Sequence, residues 1–386
     1  METEISTASD MMSFLEPAYI AAGLRPTPAD VETATKLIEP DRAHVVYAAG
    51  QVVGAAGAYS HELAVPLGVV RAAGVCQVAV LPTHRRRGIL SKLMQAQLAD
   101  IHRRGEAVAC LWTSEEPIYR RFGYGMASQR ISVEIDATAA RKMRNAPERQ
   151  GKVRLIERER AYDEIAPIYA RIWQKHPGMF FRSEDWWRCS RLPDQGQFQA
   201  VWEDSAYALY RINLTGIDSG ELRVVEALAD SVEGTREIWR FLLEIDRIKV
   251  ISAFSLPVDH PLILMLEEPR KMNMRIADSL WIRIVDLKAA LNGRALGEGS
   301  VLVQITDSLL PHNEGVWKIG REGVVRVSTA PEILVDISDL GSVYLSGFTF
   351  TELAGAGRAQ ERVPGAIRRA DRVFSWDCKP WCPELF

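Results

Sequence analysis

The stretch 75–94, VCQVAVLPTHRRRGILSKLM, decides the reading of the chain. It opens on an apolar run with β-branched Val75, Val78 and Val80, the pattern of a buried strand. Pro82 and Thr83 end that strand, and Arg85, Arg86, Arg87 and Gly88 follow. Ile89, Leu90, Leu93, Met94 and Leu98 then recur at helical spacing. A strand therefore runs through a basic, glycine-containing turn into a helix. The first N–H groups of a helix lack internal partners, and the helix dipole favours negative charge there. A glycine lets backbone approach an anion closely, and arginines add charge. Such a turn is built to cradle a diphosphate.

Its spacing is neither the GxxxxGK[ST] of a nucleotide P-loop nor GxGxxG. Arg85-x-x-Gly88 resembles the pyrophosphate loop of the GNAT acetyltransferases, [RQ]xxGx[GA], with Leu90 where that pattern has Gly or Ala. The wider string VAVLPTHRRRGILSKLM, followed by SEEPIYRRFGYG at 114–125, resembles the enhanced intracellular survival (Eis) family of GNAT N-acetyltransferases. In that family an extended form of this loop is usual.

Outward from the loop, 9–24 reads as an amphipathic helix, broken by Pro26 and Pro28, and a second helix starts near Asp30. Residues 44–48 and 51–59 read as a hairpin about Ala49-Gly50. The helix after the loop spans 86–104, with Gly105 as its stop and Arg103 and Arg104 on a solvated face. A strand at 107–113, a short helix at 115–121 and a last strand at 124–134 complete the order expected of a GNAT fold. The polar segment 138–152 reads as a link. Residues 153–285 repeat the mixed pattern without a second cradle: between Leu228 and the next helix stand Asp230 and Glu233, which would repel a diphosphate. Residues 286–386 form a third region of short strands and helices. The fold class is α+β, with two GNAT-like mixed-sheet domains in tandem (1–137 and 138–285) and a C-terminal domain, 286–386. The Eis resemblance implies that this last domain is sterol-carrier-like.

With 386 residues the chain is too long for one ordinary core. A net charge of −3 argues against a general nucleic-acid binder and mildly favours cationic substrates. No apolar run reaches the ~18 residues of a membrane span. The acidic start, METEISTASDMMSF, lacks a basic n-region, so no secretory leader is expected and the location implied is cytoplasmic. The cysteines at 76, 110, 189, 378 and 382 read as free thiols. Cys378 and Cys382 have no second pair or nearby histidine, so no metal site is expected.

Acetyl transfer to an amine needs a held thioester, a polarised carbonyl, a neutral amine and a proton for the departing thiolate. Backbone N–H groups of Val78, Ala79 or Val80 can serve the acyl arm where a GNAT sheet splays. Residues 86–91 (Arg86, Arg87, Gly88, Ile89, Leu90 and Ser91) should carry the diphosphate, with Arg86 and Arg87 supplying charge. Ser114 and Glu115 align with cofactor contacts in the resemblance, and read equally as helix cap and first-turn acid. Tyr119 aligns with the family's general acid; a phenol titrating near pH ~10 holds a proton to give. Tyr124, its rival, reads as a packing residue able to hydrogen-bond Tyr119. The resemblance makes the C-terminal carboxylate, here that of Phe386, the proton acceptor, delivered by a tail rich in aromatics. It also implies acetyl-CoA as co-substrate, a polycationic acceptor such as an aminoglycoside, or lysine side chains, and a hexamer. Asp30, Asp185 and Glu384 are candidate carboxylates for such an acceptor. The alternatives are a non-catalytic acyl-CoA-binding protein and lipid binding by the last domain.

Overall fold

The glycine- and alanine-rich strand that precedes the quoted stretch sets the architecture, because it leaves room for a helix on each face. The computed structural model describes residues 3–386 apart from 114, 138–141, 145–146, 149–150, 193–195 and 217–218. The strands run in order β1 (Glu4–Thr7), β2 (His44–Ala48), β3 (Gln51–Val65), β4 (Gly68–Val80), β5 (Val108–Leu111) and β6 (Gly125–Met126). Four helices accompany them: α1 (Met11–Ala21), α2 (Pro28–Leu37), α3 (Ile89–Arg103) and α4 (Glu116–Arg120). A Cβ on Gly57 would meet Phe14 of α1 at 2.5 Å, and one on Gly54 would meet Ile89 of α3 at 3.0 Å. Between them the side chains alternate as a strand requires. Ala55 packs with Phe14, Leu15 and Ala34 on one face, and Ala56 with Ile89 and Leu93 on the other.

The chain then leaves this unit. β7 (Gln129–Asp136), β8 (Val153–Ile156), β9 (Phe198–Trp202), β10 (Ala206–Gly216), β11 (Ser219–Ala229), β12 (Ile248–Leu256) and β13 (Arg275–Asp278) form a second mixed sheet, ordered β13-β7-β12-β11-β10-β9-β8. Its helices include α5 (Arg158–Ile172), α6 (Glu184–Trp186) and α7 (Val232–Glu244). β14 (Trp281–Ile284) returns to the first sheet, whose order is β1-β2-β3-β4-β5-β14-β6. The strand expected at 124–134 is therefore divided. Gly125–Met126 stay in the first sheet, Gln129–Asp136 join the second, and β14 takes the place beside β5, pairing Trp281 with Leu111.

A third sheet, ordered β17-β16-β15-β18-β19, follows: β15 (Ser300–Thr306), β16 (Gly315–Gly320), β17 (Gly323–Val327), β18 (Ile333–Asp336) and β19 (Ala359–Glu361). By contacts the chain divides into two compact units. The first is Met1–Ala127 with Leu280–Asp377 and Leu385–Phe386; the second is Ser128–Ser279 with Cys378–Glu384. The C-terminal region thus groups with the first sheet instead of standing apart. The reason is close backbone packing at the helix Ile337–Val343: a Cβ on Gly125 would lie 1.8 Å from the Ser338 carbonyl oxygen, and one on Gly341 2.5 Å from that of Ile282.

The second unit encloses a charged cluster. Arg182 donates to both Glu226 and Glu384, Arg191 lies 3.1 Å from Glu384, and the Trp186 indole donates to Glu384 at 2.9 Å. Burial alone would raise the Glu226 carboxyl, but Arg182 and Arg191 outweigh it and hold it at about 2. The tail segment is docked here as well, through Trp381 donating from its backbone to Pro177 and from its ring to Ser255.

Candidate active site

The quoted stretch builds one wall of a cavity of about 1110 Å³ in the first unit. β4 pairs in parallel with β5 only at Ala72–Gly74, so from Val75 to Val80 that edge of β4 has no strand partner among the described residues. On its other side the register with β3 shifts between Ala55↔Ala79 and Gly57↔Cys76, and Gln77 takes a left-handed φ of 53°. This is a β-bulge, which kinks the strand and re-aims its groups. Val78, Ala79 and Val80, with Cys76 and Gln77, line the cavity there.

Pro82–His84 form a single 3-10 turn, and the helix starts at Ile89, not at 86. The intervening loop is left-handed at two positions, Arg86 (φ 62°) and Gly88 (φ 77°). Left-handed backbone at a non-glycine residue is costly and tends to mark functional loops. Gly88 is the N-cap of α3 and supplies no side-chain cap bond, and a Cβ placed on it would meet nothing within 4 Å. The helix start therefore opens onto the cavity. Arg86, Gly88, Ile89, Leu90 and Ser91 line it as expected. Arg87 is not among the lining residues, whereas Arg85 and His84 are. The second unit contrasts at the equivalent place. α7 is capped by Ser231, whose side chain accepts from Gly234 N–H, and Asp230 is paired with Arg171.

Tyr119 and Phe386 line the same cavity, as do Glu115, Trp112 and Arg121. Tyr119 sits on α4, with Phe122 buried and Ile118 partly buried in the adjoining core cluster. Burial, and then the Glu115 carboxylate, push the Tyr119 phenol up to about 12. Tyr124 meets Tyr119 ring edge to face at 5.9 Å, and its buried hydroxyl has no hydrogen-bond partner among the described residues. Tyr124 is thus a buried packing residue, as its position suggested, and it meets Tyr119 through the rings. Glu115 is the N-cap of α4, and Ser114 lies outside the described residues. Phe386 is half-buried, its ring 6.1 Å from Tyr59 and 5.8 Å from His61. The cavity-lining Cys76 is buried and pushed up to about 12, so it holds its proton.

Sequence reading missed several parts of this site, His84 and Trp112 among them. Ala18, Ala21 and Ala22 at the end of α1 form part of the wall; their helical spacing of small residues was the available signal. Arg85 was visible as the first residue of the motif. Arg121 gave no signal. Arg104, read as solvated, instead joins Asp100, Glu39 and Asp41 in an ion-pair network. Asp30 belongs to a capping box with Thr27.

Comparison with known proteins decides the family. Models described as acetyltransferase (GNAT) domains match residues 4–127 and 178–284, and a sterol carrier protein domain matches 287–383. N-acetyltransferase Eis of Mycobacterium bovis is 35% identical, over 85% of this chain and 84% of its own length. The chain belongs to the Eis family of GNAT N-acetyltransferases. An uncharacterized N-acetyltransferase of Streptomyces avermitilis is 34% identical over 91% of this chain and 90% of its own. The crystal structure of Eis1 from Mycobacterium abscessus matches with a TM-score of 0.87 and 33% identity, covering all of both chains. The α+β class, with two GNAT domains and a sterol-carrier-like C-terminal domain, accordingly holds, and the Eis-family chain is an acyl-transferring enzyme whose fold implies acetyl-CoA as co-substrate. Among the described residues no helix is long and apolar enough to cross a membrane.

Proposed function

We propose that the first unit transfers an acetyl group from acetyl-CoA to a primary amine in this single cavity. The observation that carries the reading is the uncapped start of α3 beside the unpaired edge of β4, with Tyr119 lining the same space. The residues present fit the co-substrate: Gly88 leaves open room where a diphosphate would approach the helix start, and Arg85 and Arg86 flank it. When bound, the thioester supplies an activated acetyl group.

Every other role falls to the chain. The N–H groups at the start of α3 and the two guanidinium groups bind the diphosphate. The edge of β4 over Val78–Val80 orients the acyl arm and donates to the thioester oxygen, each such preorganised donor contributing about 3 kcal/mol. The carboxylate of Phe386 takes a proton from the ammonium of the acceptor, directly or through water. As the C–N bond forms and the C–S bond breaks, the Tyr119 hydroxyl gives its proton to the departing sulfur, and the second proton shed by the acylated nitrogen restores the phenol. The polycationic and lysine acceptors implied by the family, a homo-oligomer of hexameric form and a cytoplasmic location belong to this proposal.

Thiol release from acetyl-CoA in the presence of a primary amine, compared between the natural chain and Tyr119→Phe, tests it. Amine-dependent release that the variant loses is the expected result. Acetyl-CoA binding with no release for any amine would leave a binding protein instead.

A further inference from the structure

We infer that Tyr59, His61 and Gly74 form a seat for the ring of Phe386 and so fix where the C-terminal carboxylate stands; this rests on the acetyl-transfer reading above and adds positioning residues to it. A chain end is ordinarily frayed. A group that takes a proton in the reaction cannot be, because a misplacement of about 1 Å can cost a hundred-fold in rate. The side chain of the last residue is the part that can be held without occupying the carboxylate. Ring and carboxylate share one Cα, so a seated ring leaves the carboxylate only rotation about a few bonds.

The seat is built across β3 and β4. Tyr59 and His61 are two residues apart on β3, so their side chains leave the same face. Gly74 of β4 is the strand partner of Tyr59. A glycine inside a strand marks a close approach. Here a Cβ would lie 2.8 Å from Cδ2 of His61 and 3.3 Å from Cε2 of Phe386. Gly74 is not left-handed, so room for these two rings, not backbone conformation, calls for the glycine. The three rings meet pairwise. Tyr59 and His61 are 5.8 Å apart between centroids, Tyr59 stands edge-on to Phe386 at 6.1 Å, and His61 is tilted against Phe386 at 5.8 Å. All three separations lie in the range where aromatic pairs attract. The Tyr59 hydroxyl is hydrogen-bonded to the Cys76 thiol, which holds the first ring of the seat in turn. All these residues belong to the first unit, and Phe386 and Cys76 line its cavity. His61 acts through the ring it presents to Phe386, and not by taking the proton itself.

The experiment measures kcat by thiol release from acetyl-CoA with kanamycin, spermine and hexylamine, for the natural chain, His61→Ala, Phe386→Ala, the double variant and His61→Phe. Calorimetry with coenzyme A and a thermal melt accompany each. Phe386→Ala keeps the carboxylate and removes only the ring. The expected result is a fall in kcat of about ten-fold or more in each alanine variant, with the coenzyme A Kd unchanged. The double variant should be no slower than the slower single one, because both remove the same contact. His61→Phe, which restores a ring, should recover most of the loss. Three results each overturn the inference while leaving acetyl transfer intact: kcat within two-fold of the natural chain in His61→Ala, losses that multiply in the double variant, or a His61→Phe variant as slow as His61→Ala. A natural chain that binds coenzyme A but releases thiol with none of the three amines removes the acetyl-transfer reading, and the seat's role with it.

Discussion

Replacing Gly88 by alanine separates two roles that the loop combines. The residue has φ 77°, where an L side chain costs about 1–2 kcal/mol. Its added Cβ would meet no protein atom within 4 Å, so no clash adds to that cost. At roughly 2–4 °C per kcal/mol for a unit of this size, the melting temperature should fall by only a few degrees. Coenzyme A should suffer more, because the methyl projects into the space where the diphosphate approaches the first N–H groups of α3. Loss of one charge-assisted hydrogen bond, about 1.5–3 kcal/mol, weakens binding by about ten- to a hundred-fold. Gly88→Asn is the control. Asparagine tolerates left-handed backbone but carries the same Cβ, so most of the stability should return and the affinity should not. Titration calorimetry with coenzyme A and a thermal melt of each variant give both numbers. Full recovery of affinity in the asparagine variant would refute the reasoning, since the glycine would then serve backbone conformation alone.

Further outcomes follow from the same geometry. Tyr119→Phe should lower kcat by about a hundred-fold or more while leaving the coenzyme A Kd unchanged, read by thiol release and calorimetry. Because burial and Glu115 raise the Tyr119 phenol, the proton donor stays loaded until pH nears about 12, so kcat should show no alkaline fall near pH ~10. Calorimetry should also give one coenzyme A site per chain, since Ser231 closes the helix start in the second unit. Glu226, held at about 2 against an ordinary 4.5, contributes stability that is complete above the higher value and is lost as pH falls towards the lower one. Arg182→Met should cost about 3–5 kcal/mol in denaturant unfolding by leaving two buried carboxylates to share Arg191.

What could be read in the sequence was local. The strand, the loop and the helix lie within twenty or so residues of one another, so their spacing states the cradle directly. Which arginine faces the cavity was not legible, because the backbone is left-handed at Arg86 and the helix does not begin until Ile89, so helical spacing does not apply there. Arg85 lines the site and Arg87 does not. β14 was hidden because its partner, β5, lies far back in the chain, and a short apolar strand does not name its neighbour. The same distance concealed Glu384: an acid near the chain end reads as solvated until Arg182 and Trp186 are folded around it.

A crystal of the full chain soaked in coenzyme A tests the central claim most directly. The account predicts diphosphate density within hydrogen-bonding reach of the backbone N–H groups that open α3 and of the Arg85 and Arg86 guanidinium groups, with the pantetheine arm along Val78–Val80. Coenzyme A bound elsewhere, with that helix start left to solvent, would contradict it.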